Sequence, residues 1–228
     1  MAKRKVANPL AFAVLGSLSE RPMHPYEIST TLRSRGKEQS IKLNYGSLYS
    51  VVEALQKHGL VTARETTRAG RRPERTVYEI TEAGTAELED WLAELLSTPV
   101  REFSSLEAGL SLMPSLPPDD VAMLLGKRAH LLRSELHVLE AMLQQAVDMK
   151  LPELFLVEGR FRRAMLAAEL EFVQALAADI GTATLSGVGP WRRIHELRAE
   201  GISFEEITAD PVRYLGEEGR ILQSPPSH

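Results

Sequence analysis

Residues 45–80 decide the fold: YGSLYSVVEALQKHG (45–59) runs into LVTARE (60–65), TTRAGRRPE (66–74) and RTVYEI (75–80). At ~100° per residue, Leu48, Val51, Val52 and Leu55 share one arc of a helix spanning about 45–58, capped by Gly59. Gly46, Ser50, Glu53 and Lys57 fall opposite, with Ser47 and Tyr49 on the shoulders. The helix therefore buries one face and offers small and hydrogen-bonding groups on the other. Tyr45 sits at the edge of the apolar arc and reads as a half-buried packing residue, whereas Tyr49 lies well off it. Beyond Gly59 the residues become β-branched and strand-like over 60–65 and 76–80. Arg68, Arg71, Arg72 and Arg75 surround a Gly and a Pro between the two strands, at the tip of a hairpin.

Working outward, Pro9 suits a first helical turn, and Leu10, Ala11, Val14, Leu15 and Leu18 recur at helical spacing. Glu20-Arg-Pro22 breaks that helix. A second begins near Tyr26, with Ile28 and Leu32 on its apolar side, and stops at Gly36. On the far side of the hairpin, Thr81 is placed to cap a helix carrying Leu88, Trp91, Leu92, Leu95 and Leu96, which Pro99 ends. Ser104-x-x-Glu107 opens a short helix through Met113.

The remaining sequence is helical. A helix of about 30 residues starts at Pro117-Pro-Asp-Asp120, and its pairs Leu124/Leu125, Leu131/Leu132 and Val138/Leu139 recur every seven residues. Pro152 starts another, with Phe155, Phe161, Met165, Leu166, Leu170, Val173, Leu176 and Ile180 along its seam. Two such helices in one chain leave apolar surface over, and a second copy of the chain would cover it; a homodimer is expected, mostly through this half and the Trp91 helix. Gly187-Val-Gly189 reads as a linker, Trp191–Arg198 as an amphipathic helix, Ser203-x-x-Glu206 as a further cap, and residues 223–228 as a disordered end. The expected domains are 1–98, 99–187 and an extension, 188–228, of unassigned role.

Charge divides along the same line. Residues 1–84 hold 14 Lys+Arg against 8 Asp+Glu, net +6, and residues 85–228 hold 13 against 23, net −10. A basic front on an acidic rear suits a chain that meets a polyanion at one end only. The absence of cysteine among the 228 residues excludes disulfide staples, thiolate metal sites and a cysteine nucleophile. The uncharged stretch 6–19 falls short of the ~20 residues of a membrane span and lacks a signal-peptide cleavage pattern, so a cytoplasmic protein with no membrane contact is expected. No G-x-S-x-G, P-loop or H-E-x-x-H occurs, and the histidines are scattered; no enzyme, cofactor or metal is expected.

Three helices and a two-stranded wing are the order of a winged helix-turn-helix domain, so the fold class is mainly α: this domain, then an all-α domain of long dimerising helices. In such domains the third helix enters the major groove of duplex DNA and the wing tip reaches phosphates or the minor groove. Lys42, Asn44, Gly46, Ser47, Tyr49, Ser50, Arg71, Arg72 and Arg75 are the candidate DNA-binding residues, with Lys3, Arg4, Lys5 and Lys37 flanking them. Glu53 would repel phosphate and is expected to lie at the groove margin or to pair with Lys57 four residues on. Trp91, Leu95 and Phe103 are candidates to hold a small-molecule effector, although aromatic stripes at helical spacing are more often core. The bland alternative makes the arginines a solvated hairpin; a protein-interaction adaptor that uses the winged helix without DNA is the rival function.

Five stretches, in order, resemble one family: LGSLSERPMHPYEI (15–28), GSLY (46–49), Leu55-x-x-x-Gly-Leu-Val61, GRRP (70–73) and YEITEAG (78–84). Together they are similar to the PadR family of bacterial transcriptional regulators over about residues 10–97. The resemblance implies a dimeric regulator, usually a repressor, on a palindromic operator, with Ser47 and Tyr49 on the recognition helix and Arg71 and Arg72 at the wing tip. It also implies, for some members, release by phenolic acids or cationic drugs bound between subunits. Pro25 stands where many members have Gly, which would stiffen the start of the second helix.

Overall fold

The computed structural model describes residue 4 and residues 6–37, 45–67 and 75–223. These form two compact units, Met1–Glu102 and Phe103–His228.

In the first unit, α1 (Pro9–Glu20), α2 (Pro25–Ser34) and α3 (Tyr45–Lys57) precede an antiparallel pair, β1 (Val61–Thr67) and β2 (Arg75–Ile80), and then α4 (Glu82–Ser97). The caps are local and sequence-encoded. Asn8 accepts from the Leu10 amide, Pro25 occupies the first turn of α2, and the His24 ring accepts from the Tyr26 amide while Glu27 accepts from the His24 amide. Pro25 thus continues the helix start rather than disturbing it. Gly59 closes α3 at φ 72°, a left-handed conformation natural to glycine. Leu15, Ile28, Leu32, Val52, Leu55 and Trp91 join one core around the buried face of α1. Met23 pairs with Tyr78 by two 3.0 Å backbone hydrogen bonds, tying the α1–α2 loop to the wing.

In the second unit, α5 (Ser105–Ser111) stops two residues short of Met113, because a 3-10 turn over Met113–Ser115 follows. The long helix α6 (Pro118–Asp148) has its expected length, but Pro152 starts a 3-10 turn (Glu153–Leu156), and the second long helix, α7, runs Val157–Gly181. Each heptad pair splits: Leu125, Leu132 and Leu139 are buried, whereas Leu124, Leu131 and Val138 are exposed. Val173 and Ile180 carry the buried seam of α7, and Phe155, Phe161 and Met165, expected on that seam, are exposed instead. α7 begins after Phe155, and its neighbour α6 covers one stripe only.

The expectation that residues after Gly187 stand apart as an extension needs correction. Gly187 is the left-handed N-cap of α8 (Val188–Ala199), not part of a linker, and Val188 and Trp191 belong to the same core as Val121 and Leu132. The Trp191 indole donates to the Leu116 carbonyl (2.8 Å) and Arg192 pairs with Asp119 (2.6 Å), fixing α8 beside the start of α6. Two short helices follow: α9 (Phe204–Ala209), with the expected Ser203–Glu206 capping box, and α10 (Pro211–Leu215). Among the described residues, no helix is long and apolar enough to cross a membrane.

Candidate nucleic-acid interface

The helix at the centre of the site owes its orientation to its own buried arc. Leu48, Val51, Val52 and Leu55 pack into the core, which forces Gly46, Ser47, Tyr49, Ser50, Glu53 and Lys57 outward, and all six are exposed. The Ser47 and Tyr49 hydroxyls make no hydrogen bond to any described residue, whereas the Ser50 hydroxyl donates to the Gly46 carbonyl at 3.2 Å. Ser47 can therefore donate to an incoming acceptor without first giving up a bond, while Ser50 must turn away from Gly46.

Tyr49 stands at the edge of a small aromatic group. Its ring meets His24 edge-on with centroids 6.3 Å apart, and 47% of the residue remains exposed. Tyr78 lies close behind; burial, then the charges of Glu53 and Tyr49, hold its phenol above the usual tyrosine range. Neutral Tyr78 thus backs Tyr49, leaving the Tyr49 hydroxyl as the outer group. Of the two alternatives expected for Glu53, the i,i+4 pair is not formed: it makes no ion pair with Lys57 among the described residues. Both side chains are exposed, where such a pair repays little of its ordering cost.

Beside these groups lies a hollow of about 500 Å³, bounded by Val6 and Asn8 at the start of α1 and by Gly46, Ser47, Ser50 and Ala54 of α3. The first turn of α1 contributes the positive end of its helix dipole at this spot.

One flanking cation is withdrawn. The Arg4 guanidinium, expected to flank the DNA-binding residues, donates instead to Glu87 (2.7 Å), Asp90 (3.0 Å) and Glu94 on α4 and lies 5.1 Å from the Trp91 ring centroid. Burial pulls its pKa down, but the three carboxylate hydrogen bonds outweigh that and raise it above the ordinary value. A charge so engaged is spent on structure. These partners stand 83 to 90 residues away, so no local pattern in the sequence could have exposed them.

Of the other residues expected at the site, Lys42, Asn44, Arg71 and Arg72 lie outside the described residues, as do Lys3 and Lys5; Arg75 is the first residue of β2. The three effector candidates do not form a site on their own units. Trp91 is buried against Phe12 (centroids 5.4 Å apart), Leu95 is exposed on α4, and Phe103 is exposed at the start of the second unit.

Comparison with solved structures finds the same fold. Bacillus subtilis PadR in complex with operator DNA has a TM-score of 0.58 at 21% identity, over 74% of this chain and 97% of that one. The same B. subtilis protein in complex with p-coumaric acid has 0.59 at 16% identity, over 77% and 99%. The PadR-like transcriptional regulator BC1756 from Bacillus cereus has 0.53 at 13%, over 76% and 99%. No curated protein sequence gives a significant match. The sequence profile of the transcriptional regulator PadR-like family matches residues 14–90, the stretch holding α2, α3, the wing and most of α4. Residues 14–90 of this chain are therefore a domain of the PadR-like family of transcriptional regulators.

Proposed function

We propose that the chain works as a homodimeric repressor, placing α3 of each copy in the major groove of a palindromic operator and each wing tip on the flanking phosphates. The observation that carries this reading is the outward face of α3: Ser47 and Tyr49 are exposed, their hydroxyls bonded to no described residue, and Ser47 borders the hollow at the start of α1. Short donors on a groove-sized helix suit base edges and phosphate oxygens. Gly46, Ser50, Lys42, Asn44, Arg71, Arg72 and Arg75 complete the proposed contact set. The complex of the similar B. subtilis protein with operator DNA supports the assignment.

The second copy is proposed to cover the stripe formed by Leu124, Leu131 and Val138 on α6 together with Phe161, Met165 and Phe172 on α7, all exposed in the single chain. A contiguous apolar stripe of this length is costly in water and typical of a permanent interface. Release from DNA by a small effector is part of the same proposal.

Selection of bound fragments from genomic DNA by the purified full chain, followed by titration of the enriched site at several salt concentrations, tests the reading. An inverted-repeat site with steeply salt-dependent affinity is expected. No enriched DNA, with one foreign protein co-purifying instead, would replace the repressor by the adaptor.

A further inference from the structure

The second unit contains a cavity of about 870 Å³ that the DNA-binding role leaves unused. That volume lies within the ~300–1,000 Å³ of small-molecule sites. One wall is a face of α8, where Val188, Trp191, Ile194, His195 and Arg198 recur at helical spacing; Met113 and Pro114, Phe204 and Leu215 close the other sides. The wall is rigidly built, since the Trp191 indole is anchored on the Leu116 carbonyl and His195 Nε2 meets the Pro114 carbonyl at 2.9 Å.

The polar groups on the lining are few and unequal. A carbonyl can only accept, so His195 donates from Nε2 to the Pro114 carbonyl. Glu218 borders the cavity at the opening turn of α8, where a methyl on Gly189 would stand 3.7 Å from its Oε2, and it pairs with no described cation. Neighbouring acids are engaged: Glu217 pairs with Arg220, Glu200 with Arg193, and Glu206 caps α9. Arg198 is the one Lys or Arg among the described lining residues, but it sits nine residues beyond Gly189, about 13 Å along the helix axis. The unit as a whole is acidic, with 18 Asp+Glu against 12 Lys+Arg over residues 103–228.

We propose that this cavity binds a small aromatic amine, with its rings between Trp191 and Phe204 and its ammonium at the Glu218 end. Two aromatic walls and a carboxylate with no counter-ion among the described residues recognise a cation borne on an apolar body, and they do so better than an anion. Nothing in this recognition depends on the DNA-binding reading.

The test uses the full chain without DNA and two probes sharing one ring system, 9-aminoacridine and acridine-9-carboxylate. Probe fluorescence and the shift in melting temperature are read for each. Saturable binding of the amine is expected, with the carboxylate weaker by about tenfold or more. Glu218→Gln should weaken the amine several-fold, the scale of an ion pair at an exposed carboxylate, without weakening the carboxylate probe. Phe204→Ala, at a half-exposed position, should weaken the amine several-fold, and far-UV circular dichroism confirms that both variants fold. Amine affinity indifferent to both substitutions overturns the proposal. So does tighter binding of the carboxylate that is lost in Arg198→Gln, and so does the absence of a melting shift with either probe.

Discussion

Gly84, in the first turn of α4, lies directly on the carbonyl oxygen of Leu60 at the start of β1, so close that a Cβ at residue 84 would overlap that oxygen. The same carbonyl accepts the Thr81 amide at 3.1 Å, while the Thr81 hydroxyl donates to the Gly59 carbonyl and accepts from the Gly84 amide. Helix cap, wing and the end of α3 therefore meet in one knot of backbone. Gly84→Ala should destabilise the first unit by about 2–3 kcal/mol, since backbone rather than a movable side chain must yield. Denaturant unfolding followed by circular dichroism checks it; a variant as stable as the parent would mean the contact is looser than described.

Ser47→Ala and Tyr49→Phe remove hydroxyls that bond to nothing in the described structure. Each should cost about 1 kcal/mol of operator affinity and leave the melting temperature unchanged. Fluorescence anisotropy on the selected site measures this. Lower thermal stability with unaltered affinity would make the pair structural.

Arg71→Ala combined with Arg72→Ala should flatten the dependence of log K on log salt by about 1.8, two phosphate contacts at ~0.9 each. Affinities at four or more salt concentrations yield the slope. An unchanged slope would take the wing tip off the DNA.

Leu131 and Leu132 are neighbours with opposite exposure, 63% and 7%. Leu131→Glu should split the proposed dimer while each chain stays folded, because its side chain touches water in the single copy. Leu132→Ala should instead cost about 2–4 kcal/mol of folding stability. Sedimentation velocity and thermal melts separate the two. A dimer surviving Leu131→Glu would move the interface off this stripe.

At the end of α1, Glu20 accepts from Arg35 at 2.7 Å, and that hydrogen bond holds its carboxyl below the usual carboxylate range. A depressed carboxyl contributes stability above its unfolded value, near pH 4, and loses it as pH falls through the folded one. Glu20→Gln should therefore be less stable than the parent at pH 7, by a small margin since both side chains are about half exposed, and should match it near pH 2. Melts across that range test the convergence.

Much of the fold was legible because the deciding relations are local. The polar face of α3 follows from a 3.6-residue period, and Asn8, Thr81, Ser104 and Ser203 each accept a hydrogen bond from an amide two or three residues on, within reach of pattern reading. Lengths of helices are less secure: α5 and α7 differ from expectation because 3-10 turns at Met113 and Glu153 take the segments that proline and apolar spacing assigned to helix.

By itself the sequence determined the winged-helix order, the exposed hydroxyls of Ser47 and Tyr49 and the two long helices, all set by periodicity and caps within a few residues. Tertiary structure alone decided that Arg4 is held by α4, that each heptad pair divides into a buried and an open member, and that Trp191 closes onto Leu116, 75 residues away. A guanidinium, a leucine or an indole carries no local mark of which distant partner will take it; the choice belongs to whichever arrangement buries apolar surface while leaving every polar group bonded.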